Sequence, residues 1–301
     1  MSKMQGSFTA MITPMSGDGS VDYDGFSKNV MFQLEQGIDG ILPLGTSGET
    51  PTLDEDEEAK LIDISIGLVR DWNKKNGKQV KVMFGAGSNN TRDAVKYTER
   101  ALKAGADYAL VVTPYYNKPS DEGIFRHFEA VSKVGIPVIV YNIQGRTGKN
   151  ISVPLLSRIA DLPNIAGVKE ASGNISQMME VIETVVSRHP DFSVMSGDDS
   201  LTLPLMAAGG DGVISVVTNL APALMTELVH DCLNGDFTAA RKIHYRLMPF
   251  FRAAFCDGNP SSIKYAMNVK GLPAGTCRLP LVEARPEAQK IIQAALKECD
   301  L

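Results

Sequence analysis

The chain has 301 residues, of which 44% are hydrophobic and 22% are charged, and its 30 basic and 35 acidic residues give a net charge of −5. This composition is typical of a globular protein with a sizeable core, and it excludes disordered, collagenous and coiled-coil chains. The slight acidity and the lack of a Lys/Arg-rich stretch argue against a nucleic-acid-binding or anionic-membrane surface. We therefore expect the partner to be a small molecule or another protein.

The sequence also bears on compartment and metal content. No apolar run approaches the ~20 residues that span a bilayer, and the N-terminus lacks the hydrophobic core of a signal peptide, so a cytoplasmic protein is expected. The cysteines are widely spaced and form no C-x-x-C pattern, which predicts reduced thiols and no metal site. They are Cys232, Cys256, Cys277 and Cys299.

Short apolar runs alternate with stretches of helical periodicity through the first two thirds of the chain. The runs that predict strands are residues 8–14, 40–45, 81–87, 108–114, 137–143, 165–171, 192–197 and 212–217. The stretches that predict helices include residues 54–76, 90–105, 121–135, 153–162 and 174–189. Runs that are apolar throughout are typical of parallel strands buried on both faces. Eight such units predict an α/β fold, a (β/α)8 TIM barrel.

Beyond residue 217 the pattern is helical only. The predicted helices are residues 221–234, 236–255, 260–270 and 286–299. One of them completes the eighth unit and the others are surplus to a barrel. We therefore predict a barrel carrying the active site over residues 1–235 and a C-terminal helical extension, packed on the barrel, over residues 236–301.

Polar residues at the carboxyl ends of barrel strands meet at one mouth, where barrel enzymes carry out their chemistry. Lys169 falls in such a position, inside the apolar run 165–171. A desolvated lysine has a lowered pKa and a nucleophilic amine suited to a Schiff base with a carbonyl substrate. The alternative is a structural lysine paired with Glu170. Tyr141 ends the preceding strand, where a phenol either shuttles protons or simply packs its ring.

Further candidates lie at neighbouring strand ends. The turn 45–48 offers hydroxyls and backbone N–H groups to a carboxylate, although many strand-to-helix turns share this composition. Arg146, in the Gly-rich loop 144–148, either binds a second carboxylate through both arms of its guanidinium group or is a surface arginine. The acidic run 54–58 suits the positive end of a helix better than a metal site. No histidine lies near a strand end, so metal-dependent aldol chemistry and a Ser-His-Asp hydrolase are poorly supported.

In this order, the motifs resemble those of the dihydrodipicolinate synthase and N-acetylneuraminate lyase superfamily of pyruvate-dependent class I aldolases, over nearly the whole chain. The motifs are TPM (13–15), GTSGE (45–49), TPYYNKP (113–119), YNIQGRTG (141–148), GVKEAS (167–172), SGDD (196–199) and RLPL (278–281). The resemblance implies a lyase with no cofactor, in which pyruvate forms an imine with the lysine of GVKEAS.

The resemblance also assigns roles to single residues. It implies that Lys169 forms the imine, that Tyr141 transfers protons, and that Thr46 and Tyr116 complete a proton relay. The remaining pocket residues are Ser47, which holds the pyruvate carboxylate together with Thr46, and Gly197 and Ile214, which line the pocket. Ser47 stands where the synthase branch usually has a second threonine, and Gln144 and Ser262 replace usual prolines.

The second substrate separates the branches of the superfamily. Arg146 and the paired tyrosines of TPYYN favour the synthase branch, which condenses pyruvate with L-aspartate-4-semialdehyde on the way to diaminopimelate and lysine. The alternatives are a related aldolase that cleaves N-acetylneuraminate or a 2-keto-3-deoxy sugar acid, and a non-enzymatic barrel that binds a small carboxylate.

The resemblance finally implies assembly and regulation. It predicts a homotetramer built as a dimer of dimers, in which Tyr116 reaches across a subunit interface into the neighbouring site. A lysine-binding regulatory pocket is matched at Asn89, Asp93 and Tyr115. Relatives that are sensitive to lysine often carry histidine where this chain has Glu55 and Glu58, so we expect weak or altered inhibition by lysine.

Overall fold

In the computed structural model, which describes residues 3–301, the strands form one closed parallel barrel in chain order. The strands are β1 Gly6–Ala10, β2 Gly40–Leu42, β3 Lys81–Gly85, β4 Tyr108–Val112, β5 Val138–Asn142, β6 Ile165–Glu170, β7 Ser193–Ser196 and β8 Gly212–Ser215. Each apolar run of the sequence contributes one strand, and most strands are shorter than the run because its last residues form the following turn. The predicted (β/α)8 TIM barrel is thus confirmed.

Helices follow the strands, and several lie beyond the last strand. They are α1 Tyr23–Glu35, α2 Glu55–Asn76, α3 Thr91–Ala104, α4 Asp121–Ser132, α5 Gln144–Thr147, α6 Val153–Ala160, α7 Ile175–Val181, α8 Thr202–Ala207, α9 Pro222–Leu233, α10 Phe237–Ala253, α11 Ser261–Val269 and α12 Pro286–Glu298. The periodic segment 174–189 is divided between α7 and a π-helical turn, Ile182–Val186. Within residues 3–301, no helix is both long and apolar enough to cross a membrane.

The chain forms two compact units, of which the first comprises residues 3–6 and Met83–Ile214. Its strands are buried along almost their whole length, as parallel strands covered on both faces are. Gly212 has a φ of 148°, and a Cβ there would lie 1.9 Å from the carbonyl oxygen of Gly6, so only glycine lets these segments approach. This unit holds Lys169 and Tyr141.

The second unit comprises Ser7–Val82 and Ser215–Leu301. Its C-terminal helices pack on one another, α10 against α9 and α12, and α11 against α12. Asn219 accepts a hydrogen bond from the backbone N–H of Ile12 at 3.0 Å and donates to the carbonyl of Ala10 at 2.8 Å, which holds the end of β1. The predicted boundary between residues 235 and 236 falls between α9 and α10, inside this unit, and stays a prediction.

Candidate active site

Lys169 is the penultimate residue of β6, and its side chain is buried, with 5% of its surface exposed. Burial lowers the pKa of the amine to about 8, because apolar surroundings disfavour the charged form. Asp199 raises this pKa and Arg146 lowers it, both by less than burial does. About a tenth of the amine is therefore neutral at pH 7, and the neutral form is the one that attacks a carbonyl carbon.

Tyr141 lies beside Lys169 on the neighbouring strand. The two residues are partners in the pairing of β5 with β6, and Nζ of Lys169 lies 4.4 Å from the centre of the tyrosine ring. The carbonyl oxygen of Tyr141 accepts hydrogen bonds from the backbone N–H and the hydroxyl of Thr113, both at 3.0 Å. These bonds fix the strand end that carries the phenol next to the amine.

Glu170 follows Lys169 in the chain but points away from it, as successive strand residues do. Its carboxylate accepts hydrogen bonds from Asn142 Nδ2 at 3.0 Å, the Ser172 N–H at 2.8 Å and Gln177 Nε2 at 3.1 Å. Within residues 3–301, the structure shows no ion pair between Glu170 and Lys169. The interpretation of Lys169 as a structural lysine paired with Glu170 is therefore wrong.

Arg146 lies on the short helix α5 and not in the loop that its Gly-rich surroundings predict. The hydroxyl of Thr147 donates a hydrogen bond at 3.0 Å to the carbonyl oxygen of Ile143, the residue that precedes α5. Beyond the helix, the N–H of Ile151 donates to Asn142 Oδ1 at 3.0 Å. The single turn that carries Arg146 is thus held at both ends, close enough to Lys169 to lower the pKa of its amine.

Gly197 follows β7 and leaves room for the lysine. A Cβ at this position would lie 2.6 Å from the Cβ of Ala171 and 3.1 Å from both Cγ and Cε of Lys169. Ile214, the other predicted lining residue, is buried on β8 in the same unit. Glycine at position 197 therefore fits the conformation in which the structure holds the Lys169 side chain.

Thr46 and Ser47 lie in the second unit, in a 3₁₀ turn Thr46–Gly48 that follows β2. Thr46 is exposed, whereas Ser47 is buried and its hydroxyl accepts a hydrogen bond from Asn259 Nδ2 at 3.0 Å. Thr13 Oγ1 donates to the carbonyl of Gly48 at 2.8 Å. The turn is therefore fixed on its inner side and open at Thr46.

Tyr116 is 89% exposed and has a φ of 71°, a left-handed conformation that few bulky residues adopt. The neighbouring Asn117 donates a hydrogen bond from Nδ2 to the carbonyl of Asn89 at 2.9 Å, which anchors this segment. The fold thus presents a large aromatic side chain to the outside on a backbone that is held in place.

The predicted regulatory residues are distributed over both units. Asn89, Asp93 and Tyr115 belong to the first unit, where Asn90 Nδ2 donates to Asp93 Oδ2 at 2.8 Å. Glu55 and Glu58 lie in the first turn of α2 in the second unit. The regulatory pocket stays a prediction.

The acidic run 54–58 begins a helix, as its sequence predicts. Asp54 accepts the N–H of Glu57 at 2.8 Å, and the Glu57 carboxylate accepts the N–H of Asp54 at 3.1 Å, which is a capping box. Glu57 also pairs with Arg278, whose side chain lowers the pKa of that carboxyl by hydrogen bonding. Within residues 3–301, no cluster of three His, Cys, Asp or Glu side chains is arranged to hold a metal ion.

Sequence reasoning missed the polar contacts that support these residues. One cluster joins Asn142 and Gln177 to Glu170, and another joins Asn259 and Lys264 to the turn at Ser47. One feature of the sequence pointed to the second cluster. GTSGE ends in a glutamate and the segment 259–264 ends in a lysine, and each is the one charged residue of its segment.

A (β/α)8 barrel with a buried lysine of lowered pKa at the end of β6, and a tyrosine beside it, is typical of the lyases that work through a Schiff-base-forming lysine. The model of the dihydrodipicolinate synthetase family matches residues 3–299, and the chain belongs to that family.

Individual relatives resemble the chain over its full length. The 4-hydroxy-tetrahydrodipicolinate synthase of Protochlamydia amoebophila (strain UWE25) is 48% identical over 292 residues, which cover 96% of this chain and 95% of the relative. A dihydrodipicolinate synthase of Acinetobacter baumannii, solved with pyruvate, is 36% identical with a TM-score of 0.92 over 99% of each chain. The enzyme of Cyanidioschyzon merolae, solved with lysine bound, is 36% identical with a TM-score of 0.92 over 100% of each chain.

Proposed function

We propose that the chain catalyses the condensation of pyruvate with L-aspartate-4-semialdehyde to 4-hydroxy-tetrahydrodipicolinate, a step of diaminopimelate and lysine biosynthesis. The observation that carries this proposal is the buried amine of Lys169, whose pKa is lowered to about 8 and which faces the ring of Tyr141. Family membership and the 48% identical synthase support the choice of substrates.

The chemistry follows from the state of the amine. Neutral Lys169 attacks C2 of pyruvate, and the resulting carbinolamine loses water to give the imine. Loss of a methyl proton gives an enamine, whose carbon bonds to the aldehyde carbon of the second substrate. The amino group of that substrate then attacks the imine carbon and displaces Lys169. The phenol of Tyr141 moves the protons of these steps, and the proposal needs no cofactor.

Substrate binding is assigned to the residues around the lysine and at the turn. In the proposal, Thr46 and Ser47 hold the carboxylate of pyruvate with their hydroxyl and N–H groups, while Gly197 and Ile214 line the pocket. Arg146 binds the carboxylate of aspartate semialdehyde, for which its guanidinium fork is suited. The anchored helix α5 supports this role, because a guanidinium group carried on a fixed turn loses little conformational entropy when it binds a carboxylate.

The assembly proposed is a homotetramer, a dimer of dimers, in which Tyr116 completes the relay with Thr46 in the site of a neighbouring subunit. The exposure and left-handed backbone of Tyr116 support this role. Native mass spectrometry gives the subunit number. Tyr116→Phe should reduce kcat without changing that number, and a variant with unchanged kcat would contradict the relay.

Regulation and location complete the proposal. We expect weak or altered inhibition by lysine, because Glu55 and Glu58 stand where sensitive relatives often carry histidine. An activity titration that shows strong inhibition at micromolar lysine would overturn this expectation. We also propose that the protein works in the cytoplasm, which fractionation with a tagged chain tests.

The decisive experiment is imine trapping. The protein is incubated with pyruvate and borohydride, and the reduced adduct is located by peptide mass spectrometry, with the expectation that it maps to Lys169 and not to the other buried lysine, Lys264. No adduct would reject the catalytic proposal and leave a carboxylate-binding barrel. Coupled assays then test aspartate semialdehyde against N-acetylneuraminate and 2-keto-3-deoxy sugar acids, and cleavage of a sugar acid without semialdehyde condensation would reject the synthase.

A further inference from the structure

A buried ion pair lies at the end of the turn that carries Thr46 and Ser47. Nζ of Lys264, on α11, is 2.5 Å from Oε1 of Glu49, and the two side chains are 2% and 0% exposed. The same ammonium group donates to the carbonyl of Thr276 at 2.7 Å. A charge pair this far from water is costly unless both ions are well bonded, and here each has further partners.

Glu49 belongs to the turn itself. Its N–H donates to the carbonyl of Thr46 at 3.2 Å, and its φ of 54° is left-handed, a conformation that a glutamate adopts only where its surroundings impose it. Its second oxygen, Oε2, accepts the backbone N–H of Arg278 at 2.9 Å. Lys264 and Arg278 together therefore fix the residue at which the 3₁₀ turn ends.

A second contact reaches the turn from the residue that precedes α11. Asn259 donates from Nδ2 to the hydroxyl oxygen of Ser47 at 3.0 Å, and both residues are buried. Asn259 and Lys264 thus hold the turn at two points, Ser47 and Glu49. The Ser47 hydroxyl also lies 3.4 Å from Asn259 Oδ1, so the oxygen and the nitrogen of the Asn259 amide both face it.

We propose that Asn259 and Lys264 are positioning residues for substrate recognition: they orient the turn 46–49 so that its hydroxyl and N–H groups meet the carboxylate of a 2-oxo acid. This inference rests on the proposed function and deepens it. The segment 259–264 of the C-terminal extension thereby sets the affinity for pyruvate, although neither side chain reacts with it.

The main test uses Asn259→Ala, which leaves the ion pair of Lys264 intact. We expect the KM for pyruvate to rise about five- to tenfold, the effect of one lost hydrogen bond, with the KM for the semialdehyde and the borohydride adduct at saturating pyruvate unchanged. Asn268→Ala is the matched control, because Asn268 lies on α11, the helix that follows Asn259, and makes two hydrogen bonds to Gly275 without touching the turn. That control should lower the melting temperature and leave the KM for pyruvate unchanged.

A double-mutant cycle tests whether Asn259 acts through Ser47. In a Ser47→Ala background, Asn259→Ala should raise the KM for pyruvate no further. The paired variant Glu49→Gln with Lys264→Met removes both charges and avoids an unpaired buried ion, and it should also raise the KM for pyruvate selectively.

Two outcomes overturn the proposal. One is that Asn259→Ala keeps the KM for pyruvate within twofold of the unmodified protein, as the control does. The other is that its effect persists in full without the Ser47 hydroxyl. A failure of the proposed function is distinguishable from these outcomes, because in that case the unmodified protein itself forms no adduct with pyruvate.

Discussion

Two lysines of the described chain are buried, and they lie in different surroundings. Lys169 lies on β6 against the ring of Tyr141, and burial is the largest influence on its amine, whose pKa is lowered to about 8. Lys264 lies on α11, 2.5 Å from the Glu49 carboxylate, and also bonds a carbonyl oxygen. Within residues 3–301, the structure shows no ion pair of this kind for Lys169.

The difference teaches that burial alone does not make a lysine reactive. In Lys169 the effect of burial on the pKa outweighs that of Asp199, and the amine becomes a nucleophile, whereas the Lys264 amine is in direct contact with a carboxylate and forms an ion pair. The family to which the chain belongs works through a Schiff-base-forming lysine, and Lys169 has the arrangement suited to that chemistry. We infer that the ion pair of Lys264 holds the turn on which pyruvate recognition depends.

The strongest test of this contrast replaces each lysine by methionine. Lys169→Met should abolish the borohydride adduct and reduce kcat/KM by about 10⁴-fold or more, because no other group can form the imine. Lys264→Met should keep the adduct at Lys169 but lower the free energy of unfolding by about 3–5 kcal/mol, since Glu49 is left as an unpaired buried charge. Trapping with peptide mapping and urea titration measure both effects. An adduct in the Lys169→Met protein would contradict the assignment.

Much of the fold could be predicted from the sequence, because strands that are buried on both faces appear as apolar runs whatever their neighbours are. Helix α1 was not predicted, since Asn29 and Gln33 occupy buried positions and interrupt its apolar face. Both side chains bond distant carbonyls, of Pro273 and Thr218, which no local pattern reveals. Helix α5 is too short to show helical periodicity, so Arg146 was placed in a loop.

The candidate site, like the fold, has a part that could be predicted from the sequence and a part that could not. Lys169 and Tyr141 could be predicted because each is a polar residue in an apolar strand, and that contrast is visible in the sequence. The partners of Glu170 and of Lys264 could not be predicted. Those of Glu170 depend on the register of β5 against β6, and that of Lys264 depends on where α11 packs. A salt bridge between Lys169 and Glu170 was a natural local alternative, and the strand geometry excludes it.

The next largest expected effect on activity comes from filling the space that Gly197 leaves beside Lys169. Gly197→Ala should reduce kcat/KM by about 10²-fold, because the added Cβ would lie 2.6 Å from Cβ of Ala171 and 3.1 Å from Cε of Lys169, which forces this segment and the amine to shift. Gly67→Ala is the matched control, since a Cβ there meets nothing within 4 Å and Gly67 lies inside α2, where alanine is favoured. The control should keep full activity. Equal activities of the two variants would show that Lys169 has more freedom than the structure indicates.

The pH dependence of imine formation tests the state of Lys169 without any substitution. Because only neutral Lys169 attacks pyruvate, the rate of imine formation should rise about tenfold per pH unit up to about 8 and level off above it, so that the rate at pH 7 is roughly a tenth of the plateau. Stopped-flow measurement with pyruvate alone isolates this step. A rate that is constant between pH 6.5 and 9 would contradict a titrating nucleophile.

Asp199 provides a check on the direction of this profile. Its negative charge raises the pKa of Lys169, so Asp199→Asn should move the midpoint to lower pH. A midpoint that moves to higher pH would show that another group governs the profile.

The smallest expected effect is that of a substitution at Glu170, which follows Lys169 in the chain and whose side chain points away from the Lys169 amine. Glu170→Gln keeps the size of the side chain but sets an amide against donors from Asn142 and Gln177, which costs about 1–3 kcal/mol of stability. Asn142 also anchors the chain beyond α5, so Arg146 should shift and the KM for aspartate semialdehyde should rise about threefold. Imine formation with pyruvate should stay unchanged, because the Glu170 side chain bonds Asn142, Ser172 and Gln177 and points away from that of Lys169. If imine formation slowed as strongly as in Gly197→Ala, Glu170 would act on the nucleophile itself, and Lys169 would depend on a neighbouring carboxylate as Lys264 depends on Glu49.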